Sequence, residues 1–281
     1  GESTLVQGYG SASKQEFIQI KGGPNAGFDP EGTRSVRKYK NRFANSNIYK
    51  ASKNRTSNLR FNLSGTNGSS SAGVTVEFWM KKRGYSTTTN TAREVIFDLW
   101  NGIATGSSGH GRLTIELDCL ASNSPFGVTL LSGTATAGTH GAAGSNAQRL
   151  IIGQNLVKAT VANSKWQHYA FSFQQTGSGD TTTIKFYVSG TLNDTKVLST
   201  GFKEVSTGSL IANIGALRTT PSGGNASIVE GWGKLSASLD EFRYWKTTRS
   251  EKQIKRYYLS DVAGGSNSED ENTDLGVYYK F

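Results

Sequence analysis

Apolar residues recur at every second position in short stretches of this chain, and Gly, Ser, Thr and Asn separate the stretches. In residues 74–80, Val74, Val76, Phe78 and Met80 share one parity. That is the pattern of a strand with one buried face. Residues 112–118 alternate most regularly, with Leu113, Ile115 and Leu117 facing one way. Residues 95–100, 127–131, 149–152 and 209–217 are further strand candidates, and Leu59, Phe61 and Leu63 alternate ahead of the Gly/Ser loop at 66–73. Residues 166–173 and 182–188 flank a Gly-containing loop at 177–180, which predicts a β-hairpin. Residues 189–194 read as the next turn. One strand is expected early, at 16–20, and one late, at 275–281.

Residues 239–261 break this rhythm. An alternating strand, 239–245, runs through a polar turn into the one helix that the pattern predicts. Ser250 sits at the N-cap with Gln253 three residues on, the spacing of a capping box. Ile254, Tyr257 and Tyr258 then fall at i, i+3 and i+4 as one apolar stripe. Such a helix among strands must lay its stripe on a sheet. The expected fold is therefore all-β: an antiparallel β-sandwich or jelly roll with one short C-terminal amphipathic helix.

Composition agrees. With 34 Gly and 35% hydrophobic residues in 281, the chain suits short strands and many turns, and it is long enough to bury a substantial core. One cysteine, Cys119, rules out an internal disulfide framework. No apolar run approaches the length of a membrane span. The chain opens without Met and closes on an apolar strand, so it is expected to be a piece of a longer polypeptide.

The net charge of +10 changes the picture only once it is located. Residues 1–60 hold 11 Lys/Arg against 4 Asp/Glu, and no acidic residue lies between Gly32 and Val76. The basic character belongs to an N-terminal arm. Tyr39, Phe43 and Tyr49 interleave with its cations, a mixture that suits phosphate contact and base stacking. No nucleic-acid signature accompanies it, and the arm is expected to pack on its own domain or on neighbouring subunits. The expected organisation is a basic arm at 1–58, a jelly-roll domain at 59–262, and an acidic linker with a closing strand, or the start of a following unit, at 263–281.

Four motifs, VTVEFWMKK (74–82), WQHYAFSF with TTTIKFYVSGTLNDTK (166–173 and 181–196), SLIANIGAL (209–217) and LDEFRYWKTTRSEKQI (239–254), occur in one order. Together they resemble the laminin-G-like branch of the concanavalin A-like lectin/glucanase superfamily, across roughly residues 59–262. The resemblance implies a jelly roll of two antiparallel sheets. In its Gly/Ser/Thr/Asn richness and its basic arm the chain is also similar to modules embedded in large bacteriophage structural proteins. It implies a virion or extracellular-surface location, with other virion or surface-protein subunits and a cell-surface glycan as partners.

Catalysis is not expected. The glucanase branch sets carboxylates in a Glu-x-Asp-x-(x)-Glu pattern, because retaining glycoside cleavage needs a nucleophile and an acid close together. Glu116 and Asp118 fill the first two places, and Leu120 and Ala121 stand where the third carboxylate belongs. Asp240 and Glu241 are adjacent, which on a regular strand turns them to opposite faces. His110 and His140 lie in Gly-rich loops, and His168 shares a strand with Trp166, where the family uses it structurally. No cofactor is expected. Some relatives hold a structural calcium, for which Asp98, Asp118, Asp180 and Asp194 are the candidate oxygens here.

Sugar binding is the activity the resemblance favours, with an aromatic platform beside amide and carboxylate groups. Trp100 with Asn101, and Trp232 with Asn225, are the loop-edge candidates, against the alternative that both tryptophans plug the core rim. The expected role is a non-catalytic module of a phage virion or surface-adhesion protein, serving assembly contacts and host glycan recognition. The alternatives are a free-standing carbohydrate-binding module or secreted lectin, and then a glycoside hydrolase.

Overall fold

The computed structural model describes residues 18–22, 59, 61, 63, 73–85, 93–103, 107, 110–121, 123–132, 150–176, 181–198, 210–218, 233–260, 262 and 275–281. They form two six-stranded antiparallel sheets packed face to face. The first runs β1 (Ile18–Gly22), β10 (Leu210–Ile214), β3 (Arg93–Trp100), β4 (Gly111–Asp118), β5 (Phe126–Ser132), β6 (Leu150–Ile152). The second runs β12 (Leu275–Tyr279), β11 (Ser238–Trp245), β2 (Val74–Lys81), β7 (Trp166–Thr176), β8 (Thr181–Val188), β9 (Thr191–Leu198). This is the all-β sandwich that the alternation predicts.

The inward parity of each strand fills one core. Val74, Val76, Phe78 and Met80 of β2 meet Leu113, Ile115 and Leu117 of β4, and Leu59, Phe61 and Leu63 join the same cluster. Aromatic rings knit the layers together. Phe126 from the first sheet lies 4.8 Å from Tyr169 and 5.0 Å from Phe186 of the second, between centroids, and Phe97 lies 5.5 Å from Phe242. Rings at these separations and tilts contribute beyond the area that they bury.

The edge strands β1 and β12 overlap the early and late strands that the pattern predicts. β1 pairs β10 from Ile18↔Ile214 to Gly22↔Leu210, and β12 pairs β11, so the sandwich takes in strands from the arm and the closing segment. Two features differ from the expectation. The turn after β8 is only Ser189–Gly190, with φ of 49° and 78°, which is the two-residue turn that matches strand twist. Residues 191–194, read as turn, begin β9, a mostly polar edge strand with little apolar pattern to reveal it. A second helix is present: α1 (Lys158–Val161), one turn that a β-branched sequence does not announce. Its Val161 is buried in the core.

The predicted helix forms as α2 (Glu251–Tyr257). Ser250 and Gln253 close the capping box, Ser250 Oγ accepting from Gln253 N. Ile254 is fully buried against Ala170 and Tyr187, on the outer face of the second sheet. Gly190 makes this approach possible. A Cβ there would stand 2.8 Å from Tyr258 Cδ1 and 3.0 Å from Lys255 Cα. Gly190→Ala thus adds a clash with α2 to a left-handed backbone, at a cost of about 1–3 kcal/mol. The expected outcome is a thermal midpoint several degrees lower by circular dichroism; an unchanged midpoint would mean that the helix shifts freely.

Candidate functional site

On β2, Thr75, Glu77 and Trp79 face away from the core, and the residues on either side of α2 meet them: Thr247 and Arg249 before the helix, Tyr258 after it. Glu77 is 1% exposed. Three basic side chains surround it: His168 Nε2 on β7 at 3.6 Å, Arg243 Nη1 on β11 at 3.9 Å, and Arg249 Nε, between β11 and α2, at 4.0 Å. Burial by itself would raise the Glu77 pKa. The imidazole of His168, with Arg243 and Arg249, outweighs burial and holds the carboxyl below the ordinary glutamate range. Arg249 also lies over the Trp245 ring, 4.0 Å from its centroid, and its backbone N–H donates to Thr75 Oγ1 at 2.8 Å.

The same residues fasten the helix end. Arg243 Nη1 donates to Tyr257 O at 3.0 Å and Nη2 donates to Ser260 O, so one guanidinium meets the carbonyl of the last helical residue and one just beyond it. Trp79 Nε1 donates to Tyr258 O at 3.0 Å while its ring stacks on Tyr258 at 6.1 Å.

Beside this anchor β11 bulges. Asp240 pairs with Trp79 and Arg243 with Glu77, so three steps on β11 span two on β2. Glu241 carries the irregularity with φ of 50°, left-handed for a residue with a Cβ. The bulge defeats the alternation expected of Asp240 and Glu241. Both line one open cleft of about 190 Å³, with Trp79, Trp166, Arg243, Tyr258, Leu259 and Ser260. Glu241 is tightly held: Tyr278 Oη donates to both its oxygens at 2.7 Å, Arg243 Nη2 donates at 2.9 Å, and Lys280 Nζ stands at 3.5 Å. Asp240 is held by one oxygen only. Its Oδ1 accepts from Glu241 N at 2.8 Å and Phe281 N at 3.2 Å, while Oδ2 has no hydrogen bond among the described residues. Trp166 is 40% exposed, and its indole has no hydrogen-bond or ring partner among them.

The structure brings Trp100 and Asn101 together where β3 ends. Trp100 Nε1 donates to Ile103 O at 2.9 Å, and Asn101 Oδ1 accepts from Ile103 N at 3.1 Å. His110 Nδ1 also reaches Ile103 O, at 2.7 Å, and burial pushes its pKa down. Asn225, Trp232, His140 and Asp180 lie outside the described residues. Asp98 accepts both Nε and Nη2 of Arg112, at 2.7 and 2.8 Å, as well as Thr114 Oγ1 and Arg218 N. Asp194 accepts from Gly153 N, and Asp118 caps its own turn by accepting from Leu120 N and Ala121 N. These carboxylates serve protein donors, and no three metal-ligating groups converge among the described residues.

A second buried charge cluster holds the opposite rim. Lys82 Nζ lies 2.6 Å from Glu94 Oε2, which also accepts from Ser236 N at 2.9 Å. Burial first, and then Glu94, push the Cys119 thiol up to about 12. It stays protonated at neutral pH and is no nucleophile. Neither Trp166 nor the bulge was legible as a site beforehand, because Trp166 lies inside a strand and a bulge has no period-2 signature.

The Laminin_G_3 family model, of the Concanavalin A-like lectin/glucanases superfamily, matches residues 53–255. No curated protein matches the chain. Among solved structures, the chain is similar to a native heptameric SAP-like pentraxin from Limulus polyphemus: 14% identity, 70% of this chain and 73% of that one, TM-score 0.41. It is also similar to the binding domain of botulinum neurotoxin DC in complex with SialylT: 13% identity, 67% of this chain, TM-score 0.38. There it spans only 35% of the other chain's length. A third likeness is to the CBM40 of a Ruminococcus gnavus IT-sialidase bound to alpha2,3 sialyllactose: 15% identity, 66% and 83% coverage, TM-score 0.37.

The Glu77 cluster makes a pH-dependent prediction. Its folded pKa lies below the ordinary 4.5. The stability it contributes is therefore complete above that value and is lost as pH falls through the folded pKa. Glu77→Gln leaves buried cations without their counter-charge and is expected to cost about 3 kcal/mol at pH 7. Urea midpoints measured from pH 7 to 3 should fall for the parent and converge on the variant at the acid end. Parallel curves would show that Glu77 is not the titrating group.

Proposed function

The chain belongs to the laminin-G-like family of the Concanavalin A-like lectin/glucanases superfamily, and from that premise we propose that it is a non-catalytic glycan-recognition module. The observation that carries the proposal is the α2 cleft, where Trp166, whose indole has no hydrogen-bond or ring partner among the described residues, stands open while most of the described aromatic rings are buried. Sugars bind by laying a C–H face on an aromatic ring while fixed polar groups take their hydroxyls. Trp166 and Asp240 offer both.

In this proposal the module is part of a larger phage virion or surface-adhesion protein, and other subunits of that particle are its assembly partners. Support for the setting comes from the single Cys and single Met, the Gly-rich composition and the basic first 60 residues. No cofactor is invoked. A non-catalytic role is supported by Asp118, which is spent on its own turn, and by Leu120 and Ala121 in place of a third carboxylate.

A glycan array should give selective hits, and Trp166→Ala should weaken them by about tenfold or more, in line with about 1.5–3 kcal/mol for a large apolar contact. Trp100→Ala tests the Trp100–Asn101 corner as the site in the same assay. Loss of binding there, with Trp166→Ala unaffected, would move the site to the end of β3. An array without selective hits would leave only assembly.

A further inference from the structure

We propose that the α2 cleft takes a single uncharged sugar ring, stacked on Trp166 and donating a hydroxyl to Asp240, and that it rejects acidic sugars. This rests on the glycan-recognition reading and specifies its ligand.

Size sets the first limit. A cavity of about 190 Å³ is smaller than the roughly 300–1,000 Å³ of pockets that engulf a drug-sized ligand. One ring fits, with the rest of a glycan directed to solvent. The aromatic residues then sort by availability. Trp79 is committed, stacked on Tyr258 and edge-on to His168, with its Nε1 bonded to Tyr258 O. Trp166 makes no such contact among the described residues and is the platform, with Leu259, 72% exposed, as an apolar rim.

Charge sets the second limit. The cleft is lined by Asp240, Glu241 and Arg243. Arg243 is 2% exposed and already balanced: Nη1 serves Tyr257 O and faces Glu77, Nη2 serves Glu241 and Ser260 O, and Nε has no hydrogen-bond partner. An anion drawn to it would compete with two carboxylates held at 3.9 and 2.9 Å. Glu241 is spent on Arg243, Tyr278 and Lys280. What remains for a ligand is Asp240 Oδ2, a charged acceptor on a half-buried wall. A sugar hydroxyl donates to it. A sugar carboxylate or sulfate brought to the same place meets like charge in a partly desolvated setting, where repulsion is strong.

The strained bulge gives the arrangement its reason. With a regular strand, Asp240 and Glu241 would point to opposite faces. The left-handed Glu241 turns both toward the cleft, and its three side-chain partners hold the strain in place. Glu241 is a positioning residue, and Asp240 is the contact.

The test is titration calorimetry on the full chain with methyl glycosides of glucose, galactose, mannose and N-acetylglucosamine, against sialyllactose and glucuronic acid. At least one neutral glycoside should bind at least tenfold tighter than either acid. Trp166→Ala should weaken that binding at least about tenfold and Trp166→Phe should retain part of it, with circular dichroism melts showing both variants folded. Asp240→Asn should weaken the neutral sugar about tenfold and narrow the gap to the acidic ones. Acidic sugars that bind as well as neutral ones through Trp166 would overturn the charge selection and leave the glycan reading standing. Neutral binding that Trp166→Ala leaves unweakened would overturn the location. No sugar binding at all would overturn the glycan reading itself.

Discussion

Glu77 is the point at which this molecule becomes more than two stacked sheets. A carboxylate buried on the outer face of a sheet is unfavourable until cations are brought to it; arginines from β11 and the segment that leads into α2 supply them, and His168 of β7 stands beside it. Arg243 then spends its other hydrogen bonds on the carbonyls at the end of α2. One charge balance thus ties strand, strand and helix together. Without Arg243, the helix would lose its hydrogen-bonded anchor and Glu77 its nearest arginine. Without the helix, Glu77 would be exposed and the outer face would lose its cover.

The cleft is a by-product of the same tie. Where the chain leaves α2, a gap remains between the helix exit and the β11 bulge. The walls are polar because the bulge throws both acidic residues to one side, and the floor is aromatic because Trp79 had to reach Tyr258 O. Tyr278 of β12 and Lys280 after it hold Glu241 in the wall, so the last strand takes part in shaping the cleft. Strain at Glu241 and free valence at Asp240 sit one residue apart, which is the relation between scaffold and site that a rigid binding surface needs.

Much of the frame was legible in the residues. Period-2 alternation marks β2, β4, β7 and β8, because a sheet with one buried face leaves no other pattern. Ser250 and Gln253 mark the start of α2, because a capping box is a local arrangement that needs no tertiary partner. The polar edge strand β9 and the single turn α1 carry no such mark. Their positions depend on neighbours: β9 on its ladder with β8, α1 on the burial of Val161. Trp100 and Asn101 are adjacent in the chain and stay together in space, whereas the cleft gathers residues from positions 79, 166, 240 and 258 that no local pattern connects.

The amino-acid sequence by itself determined the sandwich, its inward faces and the capped helix, which follow from short-range periodicity and spacing, while four motifs in order carried the resemblance to the family. Tertiary structure alone decided that, among the described residues, the Trp166 ring and Asp240 Oδ2 are left without partners, and that Asp240 and Glu241 share a face. The physical reason is that availability is a remainder. It is whatever packing, ion pairing and one extra residue in a strand leave over, and that is known only once every partner is in place.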